Sequence, residues 1–480
     1  MNYRMMIYML GWVLNFEAVF MLPSLAVGLL YRETESAALL LAILLCAFLG
    51  GLAVCRKPPR QKFYAREGFI TVALAWFVLS IFGAFPFRIS GCIPSMIDAV
   101  FETASGFTTT GASILSDVEA LPRCMLFWRS FTHWIGGMGI LVFVIAILPL
   151  AGGSNMYLMK AESPGPSVKK LVPKVKRTAI MLYMLYVALT LLELVLLLAG
   201  RMPLLDALTI TFGTAGTGGF GIKNDSMASY STYLQMVVTV FMILFGVNFN
   251  VYYLIYKKRF REILKNSEVF VYLAIIAVSI GLISINISGM YASAGTAVKD
   301  AAFQVGSIIT TTGYSSADFD LWPAFSKSIL VLLMFIGSCA GSTGGGIKVS
   351  RVMIMFKTVI KELDYIIHPN NVKKITMDGK QVEHTVLRSI NVFVMAYLMV
   401  FVASVLLISL DNFDLTTNFT AVAATLNNIG PGLGGVGPMA NFGSYSGFSK
   451  IVMTFDMIAG RLELFPVLLL FCPSTWKKRG

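Results

Sequence analysis

Four times along this 480-residue chain a short apolar run leads to glycine and then to another membrane-length apolar stretch. The two clearest copies read Thr108-Thr109-Thr110-Gly111-Ala112-Ser113 and Thr310-Thr311-Thr312-Gly313-Tyr314-Ser315. The runs concerned, Met96–Glu102, Leu204–Phe212, Val298–Ile309 and Leu415–Asn427, are each too short to cross a bilayer. Glycine permits positive φ and close backbone approach, and the β-branched threonines stiffen the segment leading into it. Non-helical backbone at membrane depth survives only where protein buries it or where it lines a watery cavity. The repetition predicts helix, re-entrant half-helix, glycine turn and helix, four times in parallel orientation, and such a repeat sets the fold before any single motif does. We expect an all-α polytopic membrane protein: four pseudo-repeated units around one central pore, plus two extra N-terminal transmembrane helices.

Composition supports the membrane assignment. Apolar residues make up 56% of the chain and charged residues 13%, against roughly 25% charged in soluble domains. Spans of about 20 apolar residues are read at about 5–30, 37–54, 68–88, 124–150, 178–199, 233–256, 270–289, 324–356, 390–410 and 448–472. The first lacks a small-residue cleavage site, so it is expected to stay. The units divide as 1–66 (the extra helices), 67–177, 178–268, 269–388 and 389–480.

The net charge of +13 follows the topology. Lysine and arginine cluster after every second span: Arg56–Arg66, Lys160–Arg177, Lys257–Lys265, Lys348–Arg388 and the terminal Lys477–Arg479. The opposite loops carry Glu33, Glu35, Asp117, Glu119, Asp225, Asp300, Asp318, Asp320, Asp411 and Asp414. The positive-inside rule places both termini in the cytoplasm. Orientation accounts for the basic charge, with membrane lipid or a cytosolic partner as secondary uses and no nucleic acid expected. Acidic outer loops modestly enrich cations at the mouth.

A ring of backbone carbonyls can replace the hydration shell of a permeating cation. The candidate ring is drawn from Thr109, Thr110, Gly111 and Ala112; Thr217, Gly218 and Gly219; Thr311, Thr312, Gly313 and Tyr314; and Asn428, Ile429, Gly430 and Pro431. The second loop, Gly213–Phe220, lacks the threonine triplet. It is read as Thr217-Gly218, with its register open by a residue or two. In the fourth loop the choice between Gly430 and Gly432 stays open.

Span eight is too long and is interrupted by Gly337-Ser338-Cys339-Ala340-Gly341-Ser342-Thr343-Gly344-Gly345-Gly346. Each interior helical glycine costs about 1 kcal/mol relative to alanine, so this stretch should unwind. Below the third turn it would block conduction and move aside; close helix packing through small residues is the other reading. Arg461 lies in span ten, where a central charge costs at least ~2.5 kcal/mol. It should therefore face water or a carboxylate. Glu463 sits about 200° around a continuous helix from it and is no same-face partner. A pore-facing Arg461 at ~7 Å would repel a cation by roughly 2 kcal/mol at an effective dielectric near 20. Arg129 and Glu193 are further embedded charges, expected to be structural or interfacial.

The six cysteines show no CxxC or metal-ligand spacing, and the three histidines are scattered. Hydrolase and nucleotide-binding motifs do not appear. No enzyme activity, cofactor or transition-metal site is expected in this chain; the metal expected is potassium at the filter glycines.

These residues resemble the Trk/Ktr/HKT superfamily of potassium-translocating membrane subunits, in its TrkH/TrkG branch. The resemblance covers nearly the whole chain. It rests on Thr108–Ser113, Trp128-Arg129, Trp134–Gly139, Ala161–Pro166, Thr310–Tyr314, Gly341-Ser342-Thr343 with Gly345–Lys348, and Gly460–Glu463. It implies a homodimer in a prokaryotic inner membrane and potassium uptake that also admits rubidium. It implies a gating loop over 337–346, with Gly337, Gly341, Gly344, Gly345, Gly346 and Lys348, and a pore arginine at Arg461. It further implies control by a cytosolic ring of TrkA-type subunits that bind NAD or ATP. In this superfamily serine at the first-loop glycine accompanies sodium permeation, so Gly111 resembles the potassium-selective form.

Two other classes remain to be weighed. A secondary symporter coupled to protons or sodium would show inverted repeats and an embedded carboxylate. A membrane enzyme would need convergent His, Asp or Cys groups at one depth.

Overall fold

The computed structural model describes residues 1–58, 64–147, 175–370 and 374–476. Arg60, Lys62, the basic stretch 160–174 with Ala161–Pro166, Lys373, the terminal Lys477–Arg479 and the last residues of expected span four lie outside them.

The chain opens with α1 (Tyr3–Tyr31) and α2 (Ser36–Val54), packed on each other through small residues. A Cβ on Gly11 would meet the Ala53 methyl at 2.6 Å, and one on Gly50 would meet the Gly11 carbonyl at 2.8 Å. Without a hydrophobic drive between helices in lipid, this close approach is what holds such a pair. Next come α3 (Ala65–Gly83), α4 (Met96–Phe107) and α5 (Arg123–Ile147), then α6 (Val175–Ala199), α7 (Leu204–Gly216), α8 (Thr232–Phe245) and α9 (Phe249–Tyr256). They are followed by α10 (Ser267–Ile287), α11 (Ala294–Ile309), α12 (Ala324–Ile336) and α13 (Val349–Ile367). The last group is α14 (His384–Ile408), α15 (Leu415–Leu426), α16 (Gly447–Arg461) and α17 (Phe465–Phe471). Between α13 and α14, Thr376–Met377 pairs antiparallel with Lys380–Gln381.

Among the described residues, six helices are long and apolar enough to cross a membrane, or seven if the bent pair α8–α9 is one span. The ten expected spans therefore need correction. Span six is not continuous: α8 and α9 meet at 90°. Gly246 lies against the Tyr272 hydroxyl, leaving no room for a side chain, and the Asn248 side chain caps the new helix by accepting from Asn250 N at 2.9 Å. Span eight is two helices separated by an extended loop, as its glycines predicted. Span ten ends its first helix at Arg461, where Glu463 and Leu464 take positive φ before α17 begins.

The outside of the molecule is apolar, as lipid requires. On α14 Val392, Met395, Met399, Val402 and Leu406 are exposed, while Phe393, Tyr397, Phe401 and Ser404 face inward. Polar residues are instead gathered in the interior, around the ends of the short helices.

Those short helices, α4, α7, α11 and α15, are the half-length apolar runs of the sequence. Ser95, Ser293 and Asp414 cap α4, α11 and α15 with side-chain acceptors, and Pro203 precedes α7. Helix α5 approaches α4 so closely that a Cβ on Gly136 would overlap the Phe107 carbonyl. Replacing Gly136 with alanine should therefore force α5 away from α4 and destabilise the fold by about 1–3 kcal/mol. A lowered thermal-unfolding midpoint in detergent would show this; an unchanged midpoint would contradict the packing.

Candidate functional site

The four short helices end in the same way. After each, one residue takes the left-handed conformation: Thr109 (φ 56°), Thr217 (55°), Thr311 (59°) and Asn428 (56°). Its N–H bonds back three residues, and the next N–H bonds back five, to Ser105 O, Gly213 O, Ser307 O and Ala424 O, each at 2.8 Å. This Schellman closure consumes two of the orphan carbonyls at each helix end. Two residues after each left-handed residue stands a glycine of positive φ: Gly111 (81°), Gly219 (77°), Gly313 (86°) and Gly430 (101°).

The common geometry fixes the registers that the sequence left open. In the second loop the equivalent pair is Gly218-Gly219, with Thr217 matching Thr109, so the Thr217-Gly218 pairing is corrected by one residue. A turn with three glycines among four residues, Gly216-Thr217-Gly218-Gly219, offers no side-chain signal to align it. In the fourth loop Gly430 holds the position, and Gly432 has no positive φ.

The four turns meet head to tail. A Cβ on Gly111 would overlap the carbonyl oxygen of Gly218; on Gly219, that of Thr312; on Gly313, that of Ile429. One on Gly430 would lie 2.9 Å from the carbonyl oxygen of Thr110, which closes the circle. Each contacted carbonyl belongs to the residue just before the next loop's glycine, in chain order. Among the described residues none of these four oxygens accepts a hydrogen bond. Gly111, Gly219 and Gly313 keep partial exposure while Thr109, Thr110, Thr311 and Thr312 are buried. Ala112, Phe220, Tyr314 and Pro431 follow the ring glycines. Since helix C-termini carry roughly −0.5 elementary charge each, four of them ending at one ring favour a cation.

Buried side chains brace the ring. The hydroxyls of Thr108 and Thr110 lie 2.7 Å apart, as do those of Thr310 and Thr312. Asn428 Nδ2 donates to Thr110 Oγ1 at 2.9 Å and to Met457 O at 2.8 Å. The Tyr314 hydroxyl donates to Ile210 O at 3.1 Å. Behind the first loop Glu102 accepts from Ser113 Oγ, Ile114 N and Arg129 Nε, the last at 2.6 Å. Arg129 also donates to Gly221 O and covers the Phe220 ring. Arg129 is thus structural, as expected, and ties loops one and two together. Glu193 is fully buried on α6.

The loop after α12 lies directly against turns three and four. Gly345 N donates to Thr311 Oγ1 at 2.6 Å, and Gly346 N donates to Asn427 O at 3.1 Å. A Cβ on Gly344 would meet Thr310 O at 2.7 Å. Gly337, Gly341 and Gly346 take positive φ, as does Lys348, whose buried ammonium donates to Gly344 O. The break in α8–α9 supplies the loop's other partners: Cys339 N donates to Gly246 O, and Phe249 N donates to Gly341 O, both at 3.1 Å. Sequence reasoning missed Glu268, whose Oε1 accepts from Ala340 N at 2.7 Å and from Ser350 N at 3.2 Å. A carboxylate opening span seven directly after a basic loop was its only sequence signal.

The Arg461 guanidinium donates to two backbone carbonyls, Thr343 O at 2.8 Å and Gly136 O at 2.6 Å. It lines a cavity with Ser342, Gly344, Gly345, Gly346, Lys348 and Glu463. Glu463 pairs with Arg351 at 2.5 Å, because the helix ends before it and turns its carboxylate toward α13.

Comparison with known proteins places the chain in a family along nearly its whole length. The family model described as TrkH, cation transport protein, matches residues 35–274 and 287–478. This chain belongs to the TrkH family. The Trk system potassium uptake protein TrkH of Salmonella typhimurium is 35% identical, over 100% of both chains. The Trk system potassium uptake protein TrkG of Escherichia coli is 33% identical, over 99% of both. The crystal structure of the potassium transporter TrkH from Vibrio parahaemolyticus superposes with a TM-score of 0.89 at 33% identity, covering 99% of this chain and 100% of that one. The all-α membrane fold is that of the TrkH family, whose curated members are transporters and not enzymes.

The Glu268 contacts generate a structural test. Replacing Glu268 with alanine leaves the buried Ser350 N–H and the half-buried Ala340 N–H without this acceptor, at about 1–3 kcal/mol. Amide exchange over 338–350 should then rise by roughly tenfold or more; unchanged protection would show that the carboxylate does not hold the loop.

Proposed function

We propose that this protein carries potassium into the cell through the ring formed by the carbonyls of Thr110, Gly218, Thr312 and Ile429. The observation that carries the reading is the head-to-tail closure of four glycine turns, with four carbonyls left for a dehydrated cation. The names of the relatives, potassium uptake proteins and a potassium transporter, support the choice of ion. The four turns follow one another around the ring in one sense, which favours four parallel units over the inverted halves of a secondary symporter. The units are assigned to 67–177, 178–268, 269–388 and 389–480, with 1–66 as the extra helices.

In this reading the 337–346 loop is the gate. It stands against the inner side of turns three and four, and conduction requires it to move. Lys348 and Arg461 line the cavity below. A single such charge at ~7 Å opposes a cation by roughly 2 kcal/mol at an effective dielectric near 20, which discourages ions from dwelling beneath the ring. An inside-negative potential supplies ~2.3 kcal/mol per charge per 100 mV. The basic loops after every second span support cytoplasmic termini in an inner membrane. They also suit contact with anionic lipid and a TrkA-type nucleotide-binding ring, and the family resemblance supports a homodimer. The chain itself needs no cofactor for this chemistry.

Flux into liposomes under a clamped potential tests the proposal. Potassium and rubidium should enter along the electrochemical gradient and sodium should not. Gly111→Ser should raise sodium permeation relative to potassium by about tenfold, or 1.4 kcal/mol. Deleting 338–345 should increase potassium flux several-fold without changing ion preference. Flux that needs a proton or sodium gradient would overturn the pore reading.

A further inference from the structure

In loops one and three the positions on either side of the left-handed residue brace the turn, and in loop four the left-handed residue itself does so, whereas in loop two the left-handed Thr217 spends its hydroxyl on its own neighbour, Gly216 O, at 2.6 Å. Loops one and three use paired threonine hydroxyls, and loop four uses Asn428. Loop two has glycine at both brace positions, Gly216 and Gly218. The space is not left open. A Cβ on Gly218 would overlap the imidazole of His133, and one on Gly216 would overlap the His133 carbonyl. His133, fully buried on α5, reaches across between two ring elements. Its Nδ1 lies 2.8 Å from Gly106 O at the end of α4, and its Nε2 lies 3.1 Å from Phe220 N, the residue after Gly219.

The partners decide the proton. A carbonyl only accepts and a backbone N–H only donates, so Nδ1 carries the hydrogen and Nε2 offers its lone pair. Phe220 is held on its other faces by the Arg129 guanidinium and by the imidazole ring itself, at 4.2 Å between centroids. Resting on the filter reading above, we infer that His133 is the positioning residue of the second loop. It is a neutral imidazole that replaces the missing threonine hydroxyls and sets ion selectivity by fixing the Gly219–Phe220 backbone. Loss of the Nε2 acceptor leaves Phe220 N–H unpaired and frees the carbonyl of Gly218 from its place in the ring. The lone histidine among apolar residues gave no such signal in the sequence, because the groups that it joins are both backbone.

Two isosteres separate the two hydrogen bonds. Asparagine can reproduce the Nδ1–H donor toward Gly106 O, whereas glutamine can reproduce the Nε2 acceptor toward Phe220 N. Rubidium and sodium uptake would be measured in liposomes containing wild type, His133→Asn and His133→Gln. The expected result is a rubidium-to-sodium ratio lowered about tenfold in His133→Asn and within about threefold of wild type in His133→Gln. A ratio unchanged in His133→Asn, lowered equally in both, or lowered only in His133→Gln overturns the assignment while leaving the filter reading intact. A wild type without rubidium preference sinks the filter reading and this inference with it. If neither variant assembles, nitrogen NMR of the otherwise wild-type protein decides, with the exposed His368 and His384 replaced. A protonated Nδ1 with an unprotonated, hydrogen-bonded Nε2 is expected; an Nε2–H tautomer or an imidazolium overturns the proposal.

Discussion

The structure depends on four backbone carbonyls lying where four glycines have no side chain. Any Cβ on Gly111, Gly219 or Gly313 would overlap the next loop's oxygen, so the ring keeps this geometry only if these positions stay bare, and a side chain there must push a carbonyl aside. Reaching that geometry demands a left-handed residue two positions earlier, and in three loops a threonine accepts it. A non-glycine residue held there stores about 1–3 kcal/mol. The surrounding hydrogen bonds must over-determine the turn, which explains why the Schellman closures are identical and why hydroxyls, Asn428 and His133 crowd behind them. Four helix ends of the same partial sign at one point make the same demand electrostatically, and a cation satisfies it.

The second constraint is that unwound backbone inside a membrane must find partners. Two interrupted segments supply each other's. The break between α8 and α9 gives Gly246 O to Cys339 N, and the loop gives Gly341 O to Phe249 N. Glu268 adds a charged acceptor for Ala340 N and for Ser350 N in the first turn of α13, where a helix favours a negative charge. The loop beneath the ring is thereby tied to the start of α10, which follows the basic segment Lys257–Lys265 directly. Glu268 thus joins the helix after that basic segment to the loop whose Gly345 and Gly346 N–H groups bond turns three and four.

Much of this is legible in the sequence. The doubled Thr-Thr-Thr-Gly, the half-length apolar runs and the glycine cluster in span eight each map onto an element of the structure. The misreadings have physical reasons. Hydropathy is blind to the 90° break at Gly246–Asn248, because the residues on either side are equally apolar. The partner of Glu463 lies on another element, because the helix stops just before it and its carboxylate reaches Arg351. Loop two could not be aligned because its glycines carry no side chain to compare.

By itself the sequence determined what is local or compositional: apolar helices long enough for lipid, half-helices too short for it, and glycines where φ must be positive. Only the tertiary structure decided which glycine meets which carbonyl, that Arg461 is held by Thr343 O and Gly136 O, and that His133 joins Gly106 to Phe220. The reason is common to all three. The partners are backbone groups far apart in the chain, and a backbone carbonyl or N–H is the same at nearly every residue, so no pattern of side chains records where it will be used.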